Sequence, residues 1–158
     1  MEEIRIYCEN TQSYVKVNMG CTLNGLASQI CPGSRLENGL PVLAALVDNK
    51  LKSLDYKIIN PHNVRFIGYD HPDGRRTFIR SLCFVLQNVV REMFPDKVLA
   101  IDYALPSGLY CEIRELQPAE DGRPLRLFLT DEQIVEIETR MREVVAADLP
   151  FGKKMLSL

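Results

Sequence analysis

The sequence predicts an α+β chain, and three observations carry that prediction. Short stretches around Ile4–Cys8 and Tyr14–Val17 alternate apolar with polar side chains, the period of a half-buried strand. Longer stretches repeat apolar residues every three or four positions, the period of an amphipathic helix: Phe78, Leu82, Leu86, Val89 and Met93 in one, Ile134, Ile137, Met141, Val144 and Val145 in the other. Clusters of Asn, Asp, Pro and Gly separate these stretches and mark turns.

Composition bounds the function. The chain has 158 residues, 46% of them hydrophobic and 25% charged, enough to bury a core and too apolar for a disordered segment. A net charge of -2 excludes a protein wrapped on all sides in nucleic acid but permits a local basic patch. The five cysteines, Cys8, Cys21, Cys31, Cys83 and Cys111, form no C-x-x-C pair, and only His62 and His71 could join them around a metal. They are expected to be reduced and buried. Both histidines fall in turn segments, where solvation is expected. No signal peptide precedes the first strand and no apolar run reaches the ~18 residues of a membrane span, so a cytoplasmic protein is expected.

Residues 1–70 read as one domain. The hairpin Ile4–Cys8 and Tyr14–Val17 turns at Glu9-Asn10-Thr11. Thr22 caps a short helix through Leu23, Leu26, Ala27 and Ile30, which Cys31-Pro32-Gly33-Ser34 stops. Pro41 introduces the apolar run Val42–Val47, Asp48-Asn49-Lys50 turns, and Val64–Ile67 closes the domain after the turn at Asn60–Asn63. Residues 71–158 read as a second domain. A long helix over Asp73–Phe94 carries Arg75, Arg76 and Arg80 in its first turns, where the helix dipole favours acids. Strands follow over Lys97–Tyr103 and Leu109–Ile113, turning at Leu105–Gly108. The polar loop Pro118–Pro124 leads to Leu125–Leu129. Thr130 and Gln133 then form a capping box at the head of the last helix. Glu136 with Arg140 and Glu138 with Arg142 are spaced as ion pairs worth about 0.3 kcal/mol each. Pro150 ends that helix, and Phe151–Leu158 reads as the start of a strand that further chain would continue.

The hairpin–helix–strand–strand order of the first domain is that of a ubiquitin-like β-grasp. The opening hairpin, the text of Ala44–Ile58 and the closing Val-Arg-Phe-Ile resemble the TGS domain of threonyl-tRNA synthetases, stringent-response synthetases and some GTPases. A ubiquitin-like modifier would need a free Gly-Gly end, whereas Ile67 runs on into Gly68-Tyr69-Asp70. In the second domain, Ile79–Pro95, Ala100–Ile113 and Leu129–Leu158 resemble, in that order, the editing domain that follows TGS in threonyl-tRNA synthetases and recurs in alanyl enzymes. The resemblance implies a β-grasp TGS domain over 1–70 and a partial, C-terminally truncated editing-like α+β domain over 71–158.

The family's first helix carries His-x-x-x-His, completed by a later cysteine and histidine, a set able to hold zinc or a mischarged aminoacyl end. Here Arg80 and Phe84 occupy the two histidine positions, and only Ser81 between them matches. Guanidinium and phenyl groups offer no lone pair to a metal. The resemblance therefore implies neither metal nor catalytic residue in this chain. The same tandem resembles the front of long bacterial uridine kinases, which implies an attached C-terminal enzyme domain holding ATP and Mg. No P-loop lies in the chain itself, since Phe151-Gly152-Lys153-Lys154 lacks the first glycine and the hydroxyl residue.

The leading expectation is a non-catalytic regulatory module of a larger enzyme, a kinase by this resemblance. It would bind RNA, tRNA or a small nucleotide or amino-acid ligand through Arg75, Arg76, Arg80, Arg91, Ser81 and Phe84, with no membrane contact. Paired guanidinium hydrogen bonds suit phosphate oxygens. The alternative is a threonyl-tRNA synthetase-like fragment of editing or hydrolase ancestry. Ser81, Cys83, Asp102, Tyr103 and Cys111 would be its polar material, with Cys83 and Cys111 expected in the core. A purely structural role, such as dimerisation, is the third.

Overall fold

The computed structural model describes residues 2–106, 108–119, 122–149 and 151–152. It is an α+β structure with two sheets and three helices, divided into two compact units, Met1–Ser81 and Leu82–Leu158. No helix among the described residues is long and apolar enough to cross a membrane.

The first unit starts with strands β1 (Glu3–Cys8) and β2 (Ser13–Asn18), an antiparallel hairpin in which Cys8 faces Ser13. Helix α1 (Leu23–Ile30) follows, its Gly25 N–H donating to the Thr22 hydroxyl at 3.1 Å, the cap expected from the sequence. Strands β3 (Ala44–Val47), β4 (Lys50–Lys52) and β5 (Asn63–Ile67) complete a five-stranded sheet in the order β2-β1-β5-β3-β4. The β1–β5 pair is parallel, and the closing strand of the sequence lies at the centre of the sheet, the order of a β-grasp. Asp48 and Asn49 both have positive φ, 47° and 62°, as a two-residue turn matched to strand twist requires. The core gathers Phe66, Ile6, Leu23, Leu26, Ile58 and Val64, each at most 1% exposed.

Two polar devices close this unit. The Asn10 amide accepts from Phe66 N–H at 2.7 Å and donates to the Phe66 carbonyl at 3.1 Å, standing in for a strand partner. Asp48 accepts from the Asn63 N–H at 2.9 Å, and its other oxygen lies 2.6 Å from Nδ1 of His62. His62 is thus not the solvated turn histidine expected: its side chain is 19% exposed because a carboxylate holds it at the sheet end. His71, 24% exposed, accepts from the Asp73 N–H at 3.2 Å.

Helix α2 (Pro72–Met93) begins one residue before the expected position. Its first turn lies so close to Gly68 that a Cβ on Gly74 would come 1.9 Å from the Gly68 carbonyl oxygen, so glycine is obligatory there. Strands β6 (Lys97–Leu105) and β7 (Gly108–Glu115) form a hairpin, and the two-residue β8 (Arg126–Leu127) pairs with β7. Helix α3 (Asp131–Ala146) carries both halves of the capping box. Val89, Val90, Ile113 and Ile137 form the core of the second unit, with Leu86, Met93, Leu99 and Met141 around them.

Several expectations are corrected here. Phe78 and Leu82 are each 44% exposed, and Phe78 packs edge-on against Tyr69 at 5.3 Å. Periodicity marks a helix face but not which turns meet a partner. Ile134 and Val145, 51% and 61% exposed, likewise leave the core to Ile137 for the same reason. Leu125–Leu129 supplies only two strand residues, because the chain leaves β7 to reach the α3 cap. Arg142 pairs with Glu138 at 2.6 Å as expected, whereas Arg140 reaches forward to Glu143 at 3.3 Å instead of back to Glu136. The strand expected from Phe151 falls mainly on residues outside those described.

Two outcomes follow. Gly74→Ala should destabilise the fold by about 1–3 kcal/mol, the usual cost of overpacking a site that cannot yield, measured by chemical denaturation. The Asn63 backbone bond, then His62, hold the Asp48 carboxyl below its ordinary value. Its stabilisation is therefore present above the ordinary carboxylate range of about 4 and is lost as pH falls through the lowered value. Thermal midpoints of Asp48→Ala should fall less steeply than those of the parent between about pH 4 and pH 2.

Candidate functional site

The residues singled out by the sequence all lie on α2, but in different surroundings. Arg75 places its guanidinium carbon 5.5 Å from the Tyr69 ring centroid, over the ring face. Arg76 pairs with Asp73 one turn earlier, which explains how an arginine is tolerated at the start of this helix. Arg80, one turn beyond Arg76, is exposed and has no acidic partner among the described residues, and the same holds for Arg91. Ser81 donates its hydroxyl to the Thr77 carbonyl at 3.0 Å, a helix back-bond that occupies its proton. Phe84, 58% exposed, meets the ring of Phe151 edge-on at 5.3 Å. Phe84 offers no acid–base function, so what this helix can supply is cation and aromatic surface.

The material considered for hydrolysis is also placed. Asp102 sits where β6 carries one extra residue between Ile101 and Tyr103, and forms an ion pair with Arg114. Tyr103 stacks on Tyr110 with centroids 4.8 Å apart. The expectation that Cys83 and Cys111 are core residues is corrected: Cys83, on α2, is half-buried, and Cys111 is exposed, on a part of β7 that the two-residue β8 does not reach. Burial, then Cys83 and Asp102 nearby, raise the Cys111 thiol above its ordinary value, the opposite of nucleophile activation. Of the five free thiols, only Cys8 and Cys31 are fully buried. Among the described residues no three His, Cys, Asp or Glu side chains converge as a metal site, and the residues at the family's ligand positions do not fit zinc.

A constellation that sequence reasoning missed lies on the sheet face opposite the helices. Glu112, with only 6% of its side chain exposed, accepts from the Tyr110 hydroxyl at 2.7 Å and from Arg114 Nε at 2.8 Å, and forms an ion pair with Arg126 Nη1 at 2.9 Å. Tyr110, Glu112 and Arg114 alternate along β7 and so share a face, and Arg126 faces Arg114 across the ladder. The Tyr110 bond first, and the two guanidiniums after it, hold the Glu112 carboxyl below its ordinary value although burial opposes them. The same bond, followed by burial, raises the Tyr110 phenol. The signal was present in Tyr-Cys-Glu-Ile-Arg, where period-two alternation puts three polar groups together. Beside this lattice opens a cleft of about 400 Å³, lined by Tyr110, Glu112 and Arg126 at one end and by Leu86, Val90, Leu127 and Ile137 elsewhere.

No family profile matches the chain as a whole or in part. Individual proteins do. The chain is 27% identical over 139 residues to the threonine–tRNA ligase of Desulforamulus reducens, covering 88% of the chain and 20% of the ligase. It is 25% identical over 144 residues to that of Thermobifida fusca, covering 90% and 20%, and 23% identical over 151 residues to that of Chlamydia caviae, covering 96% and 21%. The chain thus spans about a fifth of the length of the curated relatives it matches. These similarities favour the synthetase-like alternative, and the expected kinase context draws no support from them.

One outcome tests the lattice. In Glu112→Gln the carboxylate whose hydrogen bond, and then charge, raise the Tyr110 phenol is gone, so the phenol should ionise at lower pH than in the parent, read by NMR titration of the labelled ring.

Proposed function

We propose that this chain is a non-catalytic RNA-contacting region of a threonine–tRNA-ligase-like protein. Residues 1–70 would form its TGS-like part and 71–158 an editing-like part without hydrolytic chemistry. The observation that carries the proposal is the exchange of lone-pair donors for Arg80 and Phe84 on α2, in a chain similar along about nine-tenths of its length to threonine–tRNA ligases. On this reading Arg80 puts an anion-binding guanidinium at one of the two positions and Phe84 an aromatic surface at the other, which suits an anionic partner better than a metal. Arg80 and Arg91, without acidic partners among the described residues, retain their full donor sets for phosphate. Arg75 and Arg76 add charge at one end of the helix, while their contacts to Tyr69 and Asp73 fix their positions. The partner under this proposal is tRNA, the substrate named for the relatives, and the attached enzyme region would be synthetase-like. ATP and Mg would belong to that region.

Charge reversal tests the proposal: Arg76→Glu with Arg80→Glu should weaken binding of a labelled tRNA at low salt by about tenfold or more. It should also reduce the slope of log affinity against log salt by about one to two, since each lost phosphate contact removes up to ~0.9 of slope. Unchanged affinity and slope would remove the anion-site assignment. Deacylation of a mischarged aminoacyl-tRNA above the background rate by the parent chain would restore the hydrolase reading.

A further inference from the structure

The β7 strand is only partly paired on its outer side. Strand β8 covers Ile113 and Arg114, and the Glu115 N–H donates to the Leu125 carbonyl at 2.8 Å. After Leu127 the chain leaves the ladder to enter the α3 cap at Thr130. Alternation along an antiparallel strand sends the main-chain groups of Glu115, Ile113, Cys111 and Leu109 to this same outer side. Those of Cys111 and Leu109 therefore have no strand partner among the described residues. The Leu109 carbonyl receives only the Cys111 thiol, at 3.8 Å, a weak donor.

The open edge borders the 400 Å³ cleft. A side chain entering in register with Cys111 would point to the helix side and meet Leu86, Val90 and Ile137. Its neighbours in sequence would point to the opposite face, beside Arg126, which gives one nitrogen to Glu112 and leaves 55% of its side chain exposed. Main-chain donors and acceptors in a row select an extended polypeptide. The cleft selects alternate apolar residues, and the remaining guanidinium donors of Arg126 select acidic residues between them. We propose that the outer edge of β7 at Leu109–Cys111 binds an extended acidic–apolar polypeptide segment as an added strand in line with β8. The outer edge of β6 has no strand partner among the described residues either, but what distinguishes β7 is the cleft and cation beside it. This site is separate from the α2 arginines and does not depend on RNA binding.

Hydrogen exchange on the full chain tests it, with a short synthetic peptide of alternating valine and glutamate as the probe. At a peptide concentration giving about nine-tenths occupancy, the Leu109 and Cys111 amides should exchange about tenfold more slowly. The same peptide N-methylated at alternate residues should give no slowing, and neither should the unmodified peptide on Ile134→Lys, a substitution at the half-exposed cleft rim. No slowing with the unmodified peptide at millimolar concentration overturns the proposal. So does equal slowing by the N-methylated peptide, slowing confined to the β6 amides, or slowing by an oligouridylate in place of the peptide.

Discussion

A carboxylate taken out of water must find hydrogen-bond donors and positive charge or give up its ionisation, and in the second unit Glu112 is held to that constraint. Two hydrogen-bond donors and the ion-pair partner Arg126, from two strands, converge on it, and Arg114 carries the connection on to Asp102. Losing any one would leave a buried charge under-compensated, which costs more than an intact lattice contributes. Around Glu112 lie the bulge at Asp102, the stacking of Tyr103 on Tyr110 and the pairing of Arg126 opposite Arg114. The polar face of the sheet is consequently ordered rather than merely solvated.

The first unit solves a related problem with one amide and one carboxylate. Phe66 sits in the central strand with its ring in the core, and the Asn10 amide supplies the donor and acceptor its backbone needs where β1 ends. Asp48 does the same for Asn63 at the other end of the strand while holding His62. Such side-chain substitutes for strand partners let a five-stranded sheet end cleanly without additional chain.

Much of this was legible beforehand. Thr22 and Thr130 were readable as caps because a cap is a local device: one hydroxyl and an N–H three residues on. Asp48-Asn49 was readable as a turn because Asp and Asn tolerate positive φ. The loss of ligand chemistry at Arg80 and Phe84 was likewise a matter of residue type. The exposure of Phe78, Leu82, Ile134 and Val145 was not legible, because periodicity names a face and says nothing about how far along the helix a partner extends. Nor was the Glu112 lattice, whose partners come from Tyr110 and Arg114 nearby and from Arg126 across a loop.

By itself, then, the sequence determined the element types, the caps and turns, the α+β class and the absence of histidine ligands on α2, because each depends on residues within a few positions of one another. Tertiary structure alone decided that Glu112 would be buried with Arg126 beside it, that Asp102 would answer Arg114, and that part of β7 next to a cleft would have no strand partner among the described residues. These depend on which strand stops where, and β8 stops after two residues because Thr130 must cap a helix. That is a competition between two local preferences, and only their placement in space resolves it.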